Sequence, residues 1–418
     1  SYSYLDKYIL TGALRYDGSD IIGNDNQFTP LWNVGLRWNL HREEFMKRWM
    51  WVDQFAVRGG FGYTGSIDKN ALPFVVMTLG QSVIYDGQTV PTSFSYPNPN
   101  VKWQTKQDMN VGLDLSLFDY RLELGVNYYN NITRDVLDRK ALPYSSGRSE
   151  VTENVADIYN SGWEIDLGVT LLKNKSFQWY AKANIAINEN TYYKDTKDLP
   201  KATLSNAHQF VENQPVNGWY GYKFAGINPI NGAVMTYTGN GEATLDMSVS
   251  GATWPIPSVF YLGNLTPPVV GGFSTSANWK QLIFSANFEF KTGHKIKSFN
   301  TFRSLDARNR HTSEANRWRE PGDITNVPAM SEAFTTYSSY MYDILLEKGN
   351  YLRCSYMTLG YNLKPEWLHK IGFSTARLSF TAKDLFTVSS YSGIDPALMG
   401  SFGYPNSRKY TITLNVGF

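Results

Sequence analysis

The chain has 418 residues, of which 42% are apolar, 15% aromatic and only 18% charged, below the ~25% charged residues usual in soluble domains. A formal net charge of +2 gives no electrostatic footprint for nucleic acid. No stretch approaches the ~20 consecutive apolar residues of a transmembrane helix, a condition that does not bear on a β-barrel, where only alternate residues face lipid.

The chain opens SYSYLDKYIL, without an initiator methionine or a basic-plus-apolar leader. For an exported protein this means either that a leader was removed or that residue 1 is not the true beginning. The one cysteine, Cys354, can form no intrachain disulfide and leaves the redox compartment open. Residues 8 to 16 alternate, with Tyr8, Leu10, Gly12, Leu14 and Tyr16 against Ile9, Thr11, Ala13 and Arg15. A strand turns successive side chains to opposite faces, so this is a strand with one apolar side. The pattern recurs at Trp32, Val34, Leu36 and Trp38, and at Phe55, Val57, Phe61 and Tyr63. It continues through Met109–Leu117, Leu122–Tyr128, Trp163–Leu171 and Trp179–Ile187. Later strands run through Phe273–Trp279, Leu282–Phe290, Leu378–Ala382 and a segment from near Ile344 to Leu363 whose phase slips near Ser355, which suggests a bulge. The last, SRKYTITLNVGF, sets Tyr410, Ile412, Leu414, Val416 and Phe418 against Lys409, Thr411, Thr413, Asn415 and Gly417. Taken alone it also fits an edge strand of a soluble sandwich. The tally is about twelve strands near the ~9–11 residues that cross a bilayer at a tilt.

Connections alternate in length. Long ones cover 17–30, 65–102, 131–156, 190–268, 291–342 and 387–406; shorter ones lie at 40–52, 118–120, 172–176, Lys280 and 364–373. Outer-membrane barrels have short periplasmic turns and long external loops, an asymmetry a soluble sandwich has no reason to adopt. That rule places both chain ends in the periplasm. Trp32, Trp38, Trp163, Trp179 and Trp279 fall where an interfacial aromatic girdle is expected.

Catalytic signals are weak. Gly60-Phe61-Gly62-Tyr63-Thr64-Gly65 matches a dinucleotide fingerprint, but the glycines lie in a strand and no helix follows to receive a pyrophosphate. His41, His208, His294, His311 and His369 are scattered, with no metal-ligand spacing. Glu164 and Asp166 fit better as polar-face charges of one strand than as a glycosidase pair. No cofactor, metal or catalytic residue is expected. The loop aromatics Trp219, Tyr220, Tyr222, Trp254 and Tyr391 are candidates for stacking on sugars or peptides; packing of the loops against each other accounts for them equally.

Several stretches together resemble SusC-like TonB-dependent outer-membrane transporters of Bacteroidetes, over their C-terminal half. These are YILT with LRYDGS (8–19), RGGFGYTG (58–65), NSGWE (160–164), GNLTPP with GGF (263–273), NRWREPGD (316–323), YLR through LGY (351–361), and KDLF with YSGIDP (383–396) before the terminal strand. Lys383-Asp384 stands where the family more often has Gln-Asn. The resemblance implies an all-β transmembrane antiparallel barrel, residues 1–418 forming about the last twelve of ~22 strands. The plug domain and the N-terminal strands then lie outside this sequence. It further implies a SusD-like surface lipoprotein as lid, TonB as energy coupler through the missing N-terminal part, and an oligosaccharide or oligopeptide substrate imported by dimers of transporter–lipoprotein pairs. The alternatives are a self-contained passive pore or adhesin of twelve strands, and a barrel or sandwich enzyme.

Overall fold

The computed structural model describes residues 1–23, 26–69, 76–85, 88–95, 98, 100–143, 145, 150–194, 213–245, 260–298, 315–329, 342–368, 372–399 and 403–418. They form two compact units. The first holds Ser1–Ile165 and the described residues between Asn188 and Val216; the second holds Asp166–Ile187 and the described residues of Asn217–Phe418.

The first unit is an antiparallel meander. It contains β1 (Tyr2–Tyr4), β2 (Tyr8–Gly18), β3 (Phe28–Asn39), β4 (Val52–Ser66), β7 (Gln104–Leu117) and β8 (Leu122–Ala141), with part of β9 (Glu150–Lys173) and of β10 (Phe177–Lys194). A separate hairpin, β5 (Val76–Tyr85) with β6 (Gln88–Ser95), is inserted between β4 and β7. The glycines of the 60–65 run lie inside β4, as alternation requires. The turn from β1 to β2 places Leu5 and Asp6 at φ 51° and 53°, the left-handed pair of a tight hairpin.

Register shows how the apolar face is built. Tyr8 faces Trp38, Leu10 faces Leu36, Leu14 faces Trp32 and Tyr16 faces Pro30. The rings of Tyr8 and Trp38 stack at 6.1 Å, and those of Tyr16 and Phe28 at 5.6 Å. Eight residues separate the two pairs along β2, roughly 27 Å of strand. At a tilt of about 40° this spans ~21 Å, close to the ~25 Å apolar band of an outer-membrane barrel. Glu43, just beyond β3, binds the polar tips at one boundary: its carboxylate accepts from Tyr8 OH (2.7 Å), Lys7 Nζ (3.0 Å) and Trp38 Nε1 (3.2 Å). The Tyr8 hydroxyl and then the Lys7 ammonium hold that carboxyl at about 2, well below its ordinary value.

The second unit repeats the plan. The remaining parts of β9 and β10 are followed by β16 (Val269–Trp279), β17 (Leu282–Thr292), β20 (Tyr351–Asn362), β21 (Thr375–Ser389) and β22 (Lys409–Gly417). Here too the apolar face carries aromatic pairs, Phe380 with Tyr410 at 6.2 Å and Phe373 with Phe418 at 5.2 Å. The phase slip near Ser355 is a bulge: Asn287 faces Tyr356 while the next residue, Phe288, faces Cys354. At the same height β21 carries its own irregularity. Asp384 takes φ 50° there, a conformation in which Asn and Asp are enriched, so the Asp384 substitution for the family's Asn leaves the backbone requirement met.

The main sheet order holds twelve long strands, as expected, and the three-residue β1. One expectation needs correction. The segment 131–156 is not a long loop, because β8 has 20 residues, β9 has 24 and β10 has 18. Beyond the apolar band both faces of a strand meet water, so the apolar–polar signal stops while backbone pairing continues. Tyr128, Tyr129, Ile132 and Thr133 supply the β-propensity for that continuation.

Candidate functional site

Two regions carry the chemistry. The first is the polar face of β3, β4 and β7. Register sets Arg37 directly opposite Arg58, a like-charge pair that destabilises unless neutralised. Asp114 neutralises it, at 2.9 Å from Arg37 and 3.5 Å from Arg58; Arg58 also donates to Asn127. Glycines let the polar side chains lie flat: a Cβ on Gly60 would stand 3.0 Å from Asn110 Oδ1, and one on Gly112 would stand 2.9 Å from Arg58 Nε. Above this floor is a recess of about 460 Å³ lined by Thr11, Asn33, Arg37, Arg58, Asp108 and Asn110 among others.

The second region is built by the connections of the second unit. Small sheets form there: β11 (Gly218–Gly221) pairs with β15 (Phe260–Asn264), and β12 (Phe224–Ile227), β13 (Val234–Tyr237) and β14 (Ala243–Leu245) form a second sheet. A third joins β18 (Lys295–Lys297) to β19 (Leu346–Lys348). Trp219, 7% exposed, packs with Leu262 and Leu346 and donates from Nε1 to Lys295 O at 2.7 Å. Tyr391, 9% exposed, donates from its hydroxyl to Lys297 O at 3.1 Å. These two candidates therefore converge on carbonyls of the same three-residue strand. Tyr222 is buried against Tyr342 with Ile227, Val234 and Leu345. Tyr220 is buried beside Tyr261, ring centres 5.7 Å apart, and among the described residues its hydroxyl has no hydrogen-bond partner; burial pushes that hydroxyl's pKa up. Trp254 lies outside the described residues.

Alternation alone did not reveal the charged side chains of this region. Arg353 is 5% exposed and binds Asp395 at 2.5 Å and Thr387 Oγ1 at 3.1 Å. Asp395 also accepts from Ala397 N at 2.9 Å, capping the short turn Pro396–Leu398. His294 is buried, its Nδ1 unpartnered among the described residues, and burial, then the nearby Lys291 charge, pushes the imidazole's pKa below its ordinary value. The YSGIDP motif was the available signal for Asp395. Its pairing with Arg353, 42 residues away, was not readable from spacing.

Residues 1–289 match the family described as TonB dependent receptor-like, beta-barrel. The chain belongs to that family. TonB-dependent receptor P3 of Formosa agariphila is 29% identical across the whole of this chain, which covers 45% of that relative. TonB-dependent receptor SusC of Bacteroides thetaiotaomicron is 23% identical, again across the whole chain and 43% of the relative. Among solved structures, the RagAB peptide importer in its open-open state aligns with TM-score 0.80 and 26% identity, over 98% of this chain and 45% of that one. The chain thus spans just under half the length of the relatives it matches. It is a SusC-like, all-antiparallel β-barrel segment of a family of outer-membrane proteins. In that setting the apolar faces of both units meet lipid and the polar faces meet the barrel interior.

Proposed function

We propose that residues 1–418 are the C-terminal part of the barrel of a TonB-dependent importer of oligosaccharides or oligopeptides, working with a SusD-like lipoprotein lid. The observations that carry this reading are a polar face in the first unit and structured connecting segments in the second, within a chain of the TonB-dependent receptor family. The rest of the barrel, of ~22 strands, and the plug come from the remainder of the protein. Both ends of this segment face the periplasm, and the long connections face outward. Substrate is held between loops and lid, Trp219, Tyr220, Tyr222, Trp254 and Tyr391 serving the loop side, and is released inward when TonB acts on the plug. Transporter–lipoprotein pairs assemble as dimers.

The test is uptake of labelled oligomers by cells carrying the intact protein, with and without a protonophore. Accumulation that stops with the protonophore and in a TonB-deficient strain is the expected result. Entry that persists in both conditions, with steady conductance of the purified protein in planar bilayers, would establish the passive pore instead.

A further inference from the structure

The loop region of the second unit keeps a second like-charge pair. Where β18 pairs with β19, Lys295 is directly opposite Lys348, with Cβ atoms about 5 Å apart as in any such cross-strand pair. The Arg37–Arg58 pair has Asp114 between its members; among the described residues this one has no such carboxylate. Among the described residues Lys223, Lys291, Lys295 and Lys348 make no ion pair. The acids close by in the chain are directed elsewhere. Glu347 accepts from Ser392 N and Oγ at 2.7 and 2.6 Å, Asp343 accepts from Phe224 N at 2.9 Å, and Asp395 is bound by Arg353.

Two of the lysines, Lys295 and Lys223, are also held in place. The stem of Lys295 lies across Gly263, where a Cβ would stand 2.9 Å from Lys295 Cδ. Lys223 Nζ sits 4.6 Å above the Phe260 ring. Phe260 packs on the cluster of Trp219, Leu262 and Leu346, the last of which belongs to β19. Pinned, uncompensated ammonium groups raise the free energy of the unliganded protein and lower it once an anion arrives.

We propose that Lys223, Lys295 and Lys348 form a recognition site for an acidic oligosaccharide, one bearing carboxylate or sulfate on its rings. An acidic sugar offers both features this surface matches: a fixed charge for the lysines and an apolar ring face for the exposed aromatic Tyr261 on β15. A peptide docking by strand addition needs a free strand edge of several residues, and β18 and β19 are three residues each. This inference rests on the import reading and names its substrate class.

Binding is measured by calorimetry on the intact protein in lipid nanodiscs, with oligogalacturonate, a neutral malto-oligosaccharide and oligoglutamate as probes. The proposal expects oligogalacturonate to bind, weakening as salt rises. The K295Q/K348Q double variant should lose about tenfold or more in affinity, the scale of a charge-assisted contact. Lys348→Arg should keep most of it, and Lys175→Gln, in the exposed β9–β10 turn, should change nothing. Unchanged binding in the double variant overturns the proposal, as does equal binding of the neutral sugar. Preference for oligoglutamate assigns the surface to peptides and overturns it too. None of these readouts requires TonB or a proton gradient, so failure here leaves the uptake test standing, and failure of that test leaves this one interpretable.

Discussion

Arg353→Met is expected to release the segment from Ser389 to Met399 while leaving the strands beneath it paired. In the native protein Arg353 lies across the Tyr351 ring, 5.4 Å from its centre, and binds Asp395 and Thr387. Around this bond the segment is fastened by Tyr391 to Lys297 O and by Ser392 to Glu347. Removing only the guanidinium leaves the Asp395 carboxylate, 9% exposed, without its counter-charge. Breaking one side of a buried pair costs about 3–5 kcal/mol. The other fastenings are exposed or half-buried hydrogen bonds worth about 1 kcal/mol each. The loss is therefore enough to open the segment locally. Hydrogen exchange should show Ala397 and Met399, whose amides are bonded to Asp395 and Pro396, losing protection by at least about a hundredfold. Pairing the change with Asp395→Asn should restore part of it, because the stranded charge is gone. Unaltered exchange in Arg353→Met would show that the segment is held by something other than this pair.

The second large effect concerns the apolar faces. Leu414 lies on the terminal strand midway between Tyr410 and Phe418, the aromatic ends of its apolar band. Leu414→Arg puts a guanidinium at the centre of that band, where a cation on the lipid side costs about 2–4 kcal/mol. Thr413→Arg, one residue away, points to the polar face and should change stability by no more than about 0.5 kcal/mol, the scale of ordinary surface substitutions. Both positions are exposed in the isolated chain, so burial within this polypeptide does not separate them; only the surrounding medium does. Urea titration of the intact protein folded into phospholipid vesicles reads the difference. Equal costs at the two positions would mean that neither face meets lipid.

Much of this architecture was legible because a strand's period is two and one face is apolar. Tyr8–Tyr16, Trp32–Trp38 and Tyr410–Val416 all lie in strands with the faces alternation assigned. Even the bulge at Ser355 left its mark, since one extra residue moves every later side chain to the other face. The upper halves of β8 and β9 were not legible. There the apolar signal ends though the hydrogen-bond ladder does not, and Asn131, Arg134 and Asn154 read as loop. The charged sites were hidden for a different reason. Arg37 meets Asp114 across 77 residues, and Lys295 meets Lys348 across a long connection. Those encounters depend on register, which one sequence does not print. The aromatic candidates were found by residue type; that Trp219 and Tyr391 reach the same strand was supplied by the fold.

The central claim is that this strand order forms a barrel wall with one side in lipid and the other in water. Its most direct test is an accessibility scan of β22 in the intact protein reconstituted into vesicles. Single cysteines are placed at each position from Tyr410 to Val416 in a Cys354→Ala background and carry an environment-sensitive fluorophore. The account predicts a period of two: brominated lipid quenches labels at positions 410, 412, 414 and 416, while iodide quenches those at 411, 413 and 415. Iodide quenching at every position, or quenching without alternation, would contradict it.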